Sequence, residues 1–411
     1  MTECPVSIVV IGAGNRTNKY MEYAIRHPEK LVLAGIVEPN DIRRENMARK
    51  FGVPASACFT SYEDFFKNPI PANAILIGTP ENEHYRPTMM ALEAGYNILL
   101  EKPIAQTLEE CRAIAQKARE KGLLVGVCHV LRFHPYFLKM KEVVQSGELG
   151  QIISINHYAE INLDRTTHGY VRGLWNRAEK TNPMLLAKCC HDIDLLLWLT
   201  GKKCRKLSSF GSLRWFRKEN APIGSSDRCI NCSVEADCPF SAVDLYKNRK
   251  EWVRNFDIPK GMTLDEVIDE ELLHGRYGRC VYHCDNDVVD HQILNMELED
   301  EITVTFAANA FTQNDFRATH IKMTHGEIDG DERILRVRKF RGSKEQIFDF
   351  SDIVRQPYHA GADLYIVEDF VKALEEGYGT LRTNIDKSVE SHRICFEAET
   401  SRLTGRTIFL D

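Results

Sequence analysis

Short apolar runs at Val6–Ile11, Leu31–Val37, Ala74–Ile77, Asn97–Leu100 and Leu123–Val127 alternate with segments of helical character in the first third of the chain. Strands that are apolar on both faces and separated by helices make a parallel sheet covered on each side, so a doubly wound α/β layer is predicted here. The clearest helix starts at Thr107, whose hydroxyl can cap it while Glu110 closes a capping box. Leu108, Cys111, Ile114, Ala115 and Ala118 form its apolar face, and Gly122 ends it. Beyond residue 150 the pattern changes. Ile152–Asn162, Ser208–Phe216, His291–Leu298, Ile302–Asn309, His320–Thr324 and Leu335–Phe340 are β-rich, partly alternating and joined by turns, which predicts antiparallel pairing. A polar, helix-rich stretch between Arg214 and Arg279 interrupts this and reads as an insertion over about residues 214–279.

The first strand runs directly into Gly12-Ala13-Gly14-Asn15-Arg16-Thr17. Glycines there allow a tight turn and let backbone N–H groups approach a pyrophosphate at the next helix N-terminus, although Thr17 stands where a third glycine is usual. Glu38 closes the second strand and can accept both ribose hydroxyls of an adenosine. Its charge repels a 2′-phosphate, so NAD is favoured over NADP, while Arg43 and Arg44 close behind weaken that preference. Thr79-Pro80 with His84 follows the third run, and Glu101-Lys102-Pro103 the fourth. Both lie at carboxyl ends of predicted parallel strands, where ligands bind in such sheets. Gly12, Gly14, Asn15, Arg16, Glu38, Thr79, Pro80, His84, Glu101 and Lys102 are the candidate cofactor residues.

The 411 residues suffice for two domains, and 43% hydrophobic with 27% charged residues is the balance of a globular enzyme. A net charge of -6 with no basic stripe argues against nucleic acid or an anionic membrane as partner. No apolar run reaches the roughly 20 residues of a membrane span. No basic region followed by an apolar stretch opens the sequence, so a cytoplasmic address is expected.

Taken in order, Gly12-Ala13-Gly14, Glu38-Pro39, Thr79-Pro80 with His84, Glu101-Lys102-Pro103 and Arg132-Phe133-His134-Pro135 resemble the Gfo/Idh/MocA family of nicotinamide-dependent sugar oxidoreductases. Gly147-Glu148-Leu149-Gly150, the segment around His191-Asp192-Ile193-Asp194 and Asp363–Leu374 fall in the family's order, so the resemblance covers nearly the whole chain. It implies an NAD-binding Rossmann domain over 1–128, then an α/β domain over 129–411 with a large open antiparallel sheet. That sheet often forms a subunit interface, hence a homodimer or homotetramer. It also implies that Lys102 orients the reacting hydroxyl and that His191 acts as general base, roles that suit an ammonium and an imidazole. Many members carry an aspartate four residues before that histidine; here it is Ala187.

A carbohydrate is the expected small-molecule substrate. His168, Arg172 and Trp175, in a glycine-punctuated loop before His191, together with Arg132 and Lys188, are the candidates to bind it. The three cations would suit an acidic saccharide. Lys188 has an alternative as an ion-pair partner of Asp192, and the loop as a surface loop anchored by Trp175. Of the thirteen cysteines, Cys229, Cys232 and Cys238 have a spacing suited to a structural zinc, with Cys280, Cys284, His283 or Cys204 open as fourth ligand. Reduced thiols and an iron–sulfur cluster are the alternatives, the latter without a recognisable four-cysteine run. Two enzymatic readings remain open. One is an NAD-dependent sugar dehydrogenase; the other is a glycoside hydrolase that retains NAD and works by transient oxidation and elimination. A non-catalytic sensor on the same fold is a third reading, against which Lys102 and His191 argue.

Overall fold

Six parallel strands form the first sheet of the computed structural model, which describes residues 4–342, 344–355, 357–377 and 380–410. They are β1 (Val6–Ile11), β2 (Leu31–Val37), β3 (Cys58–Phe59), β4 (Ala74–Ile77), β5 (Asn97–Leu100) and β6 (Val125–Val127), in the order β3-β2-β1-β4-β5-β6. Alternation along β1 sends its side chains to opposite faces. Ile8 and Val10 pack with Tyr20, Met21, Ile366, Val367 and Phe370, whereas Val9 and Ile11 pack with Cys111, Ile114, Ala115 and Ala118. The Thr107 capping box is formed, and Gly122 closes that helix with φ 65°. The helix Ala362–Glu376, from late in the chain, thus completes one face of the nucleotide-type sheet.

The second sheet has nine strands: β7 (Ile152–Asn162), β8 (Cys204–Ser212), β9 (His291–Leu298), β10 (Thr303–Thr312), β11 (Phe316–Met323), β12 (Gly326–Gly330), β13 (Ile334–Lys339), β14 (Gln346–Asp349) and β15 (Ile408–Phe409). Their order is β14-β13-β12-β11-β7-β10-β9-β8-β15. Pairing is mostly antiparallel, but β10 lies parallel to β7. Turns between successive strands predict only antiparallel neighbours, and this long-range pair escapes that reading. On one face an apolar row, Phe210, Ile293 and Ala307, runs across β8, β9 and β10, with Phe210 63% and Ile293 44% exposed.

Close packing divides the chain into two units. The first comprises Met1–Ile153, Cys190–Lys203 and Ile321–Phe396; the second comprises Ser154–Cys189, Cys204–His320 and Glu397–Asp411. Between β8 and β9 the second unit carries short helical turns and the helix Leu264–Leu273, with its own core around Ala242, Leu245, Tyr246, Ile268 and Leu272.

Candidate active site

In the first unit, the carboxyl ends of β1 and β4 meet where the strand order reverses, the usual ligand crevice of a doubly wound sheet. Gly12 has φ +93°, and a Cβ there would stand 2.7 Å from the Gly78 carbonyl carbon and the Thr79 nitrogen. Only glycine fits both demands. Gly14 lies extended directly before the helix Asn15–Arg26, leaving the helix N-terminus facing the crevice. Thr17 fills the place of the third glycine because the close approach has moved across the crevice. A Cβ on Gly78 would lie 2.2 Å from Thr17 Oγ1, a buried atom with no hydrogen-bond partner. Glu38 is buried beside this loop, with Oε2 accepting from the Ala13 N–H at 2.7 Å and Oε1 from Asn40 N–H at 2.9 Å. Arg44 is tied to the Glu38 carbonyl at 2.6 Å and to the Asp41 carboxylate.

The other candidate cofactor residues fall on the same crevice wall in two groups. His84 ties two loops together, with Nδ1 2.7 Å from the Pro103 carbonyl and Nε2 3.1 Å from that of Thr79, and Pro80 stands at the head of the turn Glu81–Glu83. Arg16, expected to face a cofactor, instead belongs to a buried network. Its Nε donates to Glu101 at 2.9 Å, and Nη1 and Nη2 reach Asp363 at 3.1 and 2.7 Å. Tyr20 donates to Glu101 at 2.6 Å, and the other Glu101 oxygen accepts the Lys102 N–H at 2.7 Å. Burial alone would raise the Asp363 and Glu101 carboxyls, but Arg16 outweighs it and holds both below the ordinary range.

Lys102 therefore stands on a rigid corner, with its peptide to Pro103 in the cis form. Burial pushes its ammonium toward neutrality, yet Cys190, Glu81 and Glu101 around it leave the pKa above the usual lysine value. Cys190 directly precedes His191 midway along the helix Met184–Thr200, and both belong to the first unit, as does the Glu-Lys-Pro corner, whose Lys102 lies near Cys190. Ala187 is buried where an aspartate is common; instead Asp192 Oδ2 lies 3.4 Å from His191 Nε2. Sequence reasoning missed two supports. His392 accepts the Ile104 N–H at 2.9 Å, fixing the loop after Pro103, and His129 is fully buried beside Lys102, Arg132 and Glu101. Neither lies in a motif.

The residues expected to grip a sugar are differently disposed. Arg132 is buried in a two-bond pair with Asp194 and donates to the Arg382 carbonyl, so it braces the first unit. In the second unit, His168 stacks on Tyr277 with centroids 4.5 Å apart and meets the Tyr246 hydroxyl at 2.9 Å. Arg172 is fully buried and donates to the Arg279 and Phe240 carbonyls. Trp175 is 36% exposed beside Tyr170. Burial, aided by Arg165 and Arg317, lowers Lys188 to about 7. Of these five, His168 and Arg172 have become core residues of the insertion, because an inserted segment must find polar partners for its own buried groups.

The zinc expectation needs correction. Among the described residues no three His, Cys, Asp or Glu side chains converge tightly enough to hold one metal ion, Cys229, Cys232 and Cys238 included. No described helix is long and apolar enough to cross a membrane.

Residues 6–129 match the model described as the oxidoreductase family with an NAD-binding Rossmann fold, and residues 137–249 match the GFO/IDH/MocA C-terminal domain. The chain is 29% identical over 157 residues to oxidoreductase P35 of Formosa agariphila, covering 38% of this chain and 47% of that one. It is 28% identical over 187 residues to 1,5-anhydro-D-fructose reductase of Ensifer adhaerens, covering 46% and 54%. The chain thus spans about half the length of these curated relatives. Its fold is similar to that of the WlbA dehydrogenase from Bordetella pertussis in complex with NADH and UDP-GlcNAcA, with a TM-score of 0.71, 14% identity and coverage of 100% and 99%.

Proposed function

The chain belongs to the Gfo/Idh/MocA family of NAD-binding oxidoreductases, and from that premise we propose that it interconverts a hydroxyl and a ketone on a sugar or sugar derivative. The crevice suits the dinucleotide: Gly12 and Gly14 open the way to backbone N–H groups at the helix N-terminus, and Thr79 and Pro80 form the facing loop. Glu38 is the ribose acceptor, with a lone pair left on each oxygen, and its charge favours NAD over NADP. Arg44, already bonded to Asp41, does not offset it. When bound, the nicotinamide exchanges a hydride with the carbinol carbon. The chain handles the proton. Lys102 donates a hydrogen bond to the substrate oxygen and stabilises its developing negative charge, and His191 removes the hydroxyl proton, oriented by Asp192.

The observation that carries this reading is Lys102, held near Glu81, Glu101 and Cys190, the residue directly before His191. A carbohydrate substrate is supported by relatives named for sugars, among them the anhydrofructose reductase and the UDP-GlcNAcA complex. The apolar row at Phe210 and Ile293 supports a homo-oligomer assembled through the sheet face. A second reading rests on Ala187. Without an aspartate one turn before the histidine, the site also suits a glycosidase cycle in which oxidation acidifies the neighbouring carbon, the glycosidic group is eliminated, water adds in its place, and return of the hydride to the ketone regenerates NAD.

Incubation with NAD and a panel of free sugars, acidic sugars and simple glycosides separates them, with reduced nicotinamide followed optically and products by mass spectrometry. Net reduction with a product two hydrogens lighter is expected. Cleavage of a glycoside without net reduction establishes the second reading, and inertness with every compound defeats both.

A further inference from the structure

Two cations of the second unit, Arg165 and Lys188, keep N–H donors that no described residue takes. Arg165 closes the short helix Leu163–Arg165 at the end of β7, where Asn162 Oδ1 accepts the Asp164 and Arg165 N–H groups at 2.8 and 3.2 Å. Its Nε donates to Asp315 Oδ2 at 2.7 Å, in the turn between β10 and β11, and the Asn162 N–H donates to the other Asp315 oxygen at 2.9 Å. Beneath the guanidinium lies the Trp252 ring, with its centroid 5.0 Å from Cζ. Trp252 has φ +63°, a left-handed backbone that a bulky side chain adopts only under constraint. His168 stacks on the same ring with centroids 5.2 Å apart. Arg165 is therefore aimed, although 37% of its side chain is open to solvent.

Lys188 completes the cluster. It lies half-buried in the helix Met184–Thr200, with Arg165, Arg317 and Asp315 as charged neighbours. Among the described residues, neither Lys188 Nζ nor Nη1 or Nη2 of Arg165 makes a hydrogen bond. The carboxylates at hand are already engaged. Asp315 is bonded to Arg165 and Asn162, and Asp164 gives its two oxygens to Arg249 at 2.6 and 3.0 Å. A half-buried ammonium beside two guanidinium groups is unfavourable unless negative charge joins them. A carboxylate or phosphate entering from solvent would take the unused N–H groups of both side chains, and its charge would hold Lys188 in the ammonium form.

Position gives such an anion a role. Lys188 precedes His191 by three residues in one helix, so the two side chains leave the same side about 4.5 Å apart along its axis, a separation that one sugar ring spans. Arg132 and Arg172, the other cations expected to meet an acidic sugar, are turned into the interior, and Arg165 stands in their place. The geometry points to an anion subsite, formed by Lys188 and Arg165 over Trp252, that selects a substrate carrying a carboxylate or phosphate on the same ring as the reacting hydroxyl. The identity of that substrate rests on the sugar-oxidoreductase reading above; binding of the anion does not depend on turnover.

The test is equilibrium binding to the full chain with NAD present, read by calorimetry, with D-glucuronate, D-galacturonate and glucose 6-phosphate as probes against D-glucose and D-galactose. At least one acid is expected to bind about 10-fold or more tightly than its neutral counterpart. Whether a uronate or the phosphate binds best names the source of the charge. Lys188→Met and Arg165→Gln should each remove the preference and leave the affinity for the neutral sugar as it was, while Lys188→Arg should keep it. Equal or absent binding of all three acids overturns the subsite, and the unsubstituted protein decides this even if a variant fails to fold. A preference that survives in folded Lys188→Met overturns it as well. Turnover of a neutral sugar with no acid preference removes the subsite and leaves the oxidoreductase reading standing; acid preference with inertness across the sugar panel does the reverse.

Discussion

Arg132 and Asp194 meet through two parallel bonds, Nε to Oδ2 at 2.7 Å and Nη2 to Oδ1 at 2.6 Å, with both side chains buried. The arginine of the Arg132-Phe133-His134-Pro135 motif thus grips the His191 helix three residues beyond the histidine. Asp194→Ala leaves a buried guanidinium uncompensated and should destabilise the protein by about 3–5 kcal/mol. Denaturant unfolding of the variant measures it; a loss within about 0.5 kcal/mol, as for a surface substitution, would show that the pair is not a brace.

Glu38 offers a separable test of the nucleotide crevice. Charge-assisted hydrogen bonds are worth about 1.5–3 kcal/mol, so Glu38→Ala should weaken NAD by about 10- to 100-fold and affect NADP less. Equilibrium binding of both dinucleotides reads the ratio, and an unchanged preference would remove Glu38 from the ribose site.

Lys102→Ala should lower turnover at least about 100-fold, and His191→Ala similarly. Both variants should keep the unfolding midpoint of the parent, as expected if both side chains line the proposed substrate cleft. Because Lys102 is held above the ordinary lysine range, its deprotonation contributes no inflection to the rate profile below about pH 10. Retention of activity in either variant eliminates the assigned chemistry.

Burial keeps His168 and His392 neutral, lowering them to about 4 and about 3. A base whose folded pKa is depressed contributes stability above its unfolded pKa and loses it as pH falls, because the unfolded chain takes up the proton first. The loss begins near pH 6.5 and amounts to about 2 kcal/mol per histidine at pH 5. His168→Phe should flatten the pH dependence of unfolding for the second unit between pH 7 and 5. An equally steep dependence in that variant would show that His168 is not its source.

The nucleotide half was largely legible because its signals are local. Runs that are apolar on both faces, the Thr107 capping box and glycine turns each depend on near neighbours, and β1, β2, β4 and β5 have their expected limits. The two-residue β3 is too short to leave a pattern. The helix Ile385–Thr404 escaped notice for a different reason. Its buried face mixes Ser388, Ser391, His392 and Ser401 with Ile385, Ile394, Cys395 and Ala398, so no strong apolar stripe marks it. Motif residues were found, but their partners were not. Glu101 was visible in Glu-Lys-Pro, while its network through Arg16 to Asp363 joins positions hundreds of residues apart.

The sheets also end in a particular way. The outermost strands are β3 and β6 in one sheet and β14 and β15 in the other, and they have two, three, four and two residues. Edges this short present few unpaired backbone groups to a passing chain, which guards against strand addition and fibre growth. With the rims so short, the homo-oligomer proposed above would assemble through a sheet face, and an isologous contact of that kind closes instead of propagating without limit.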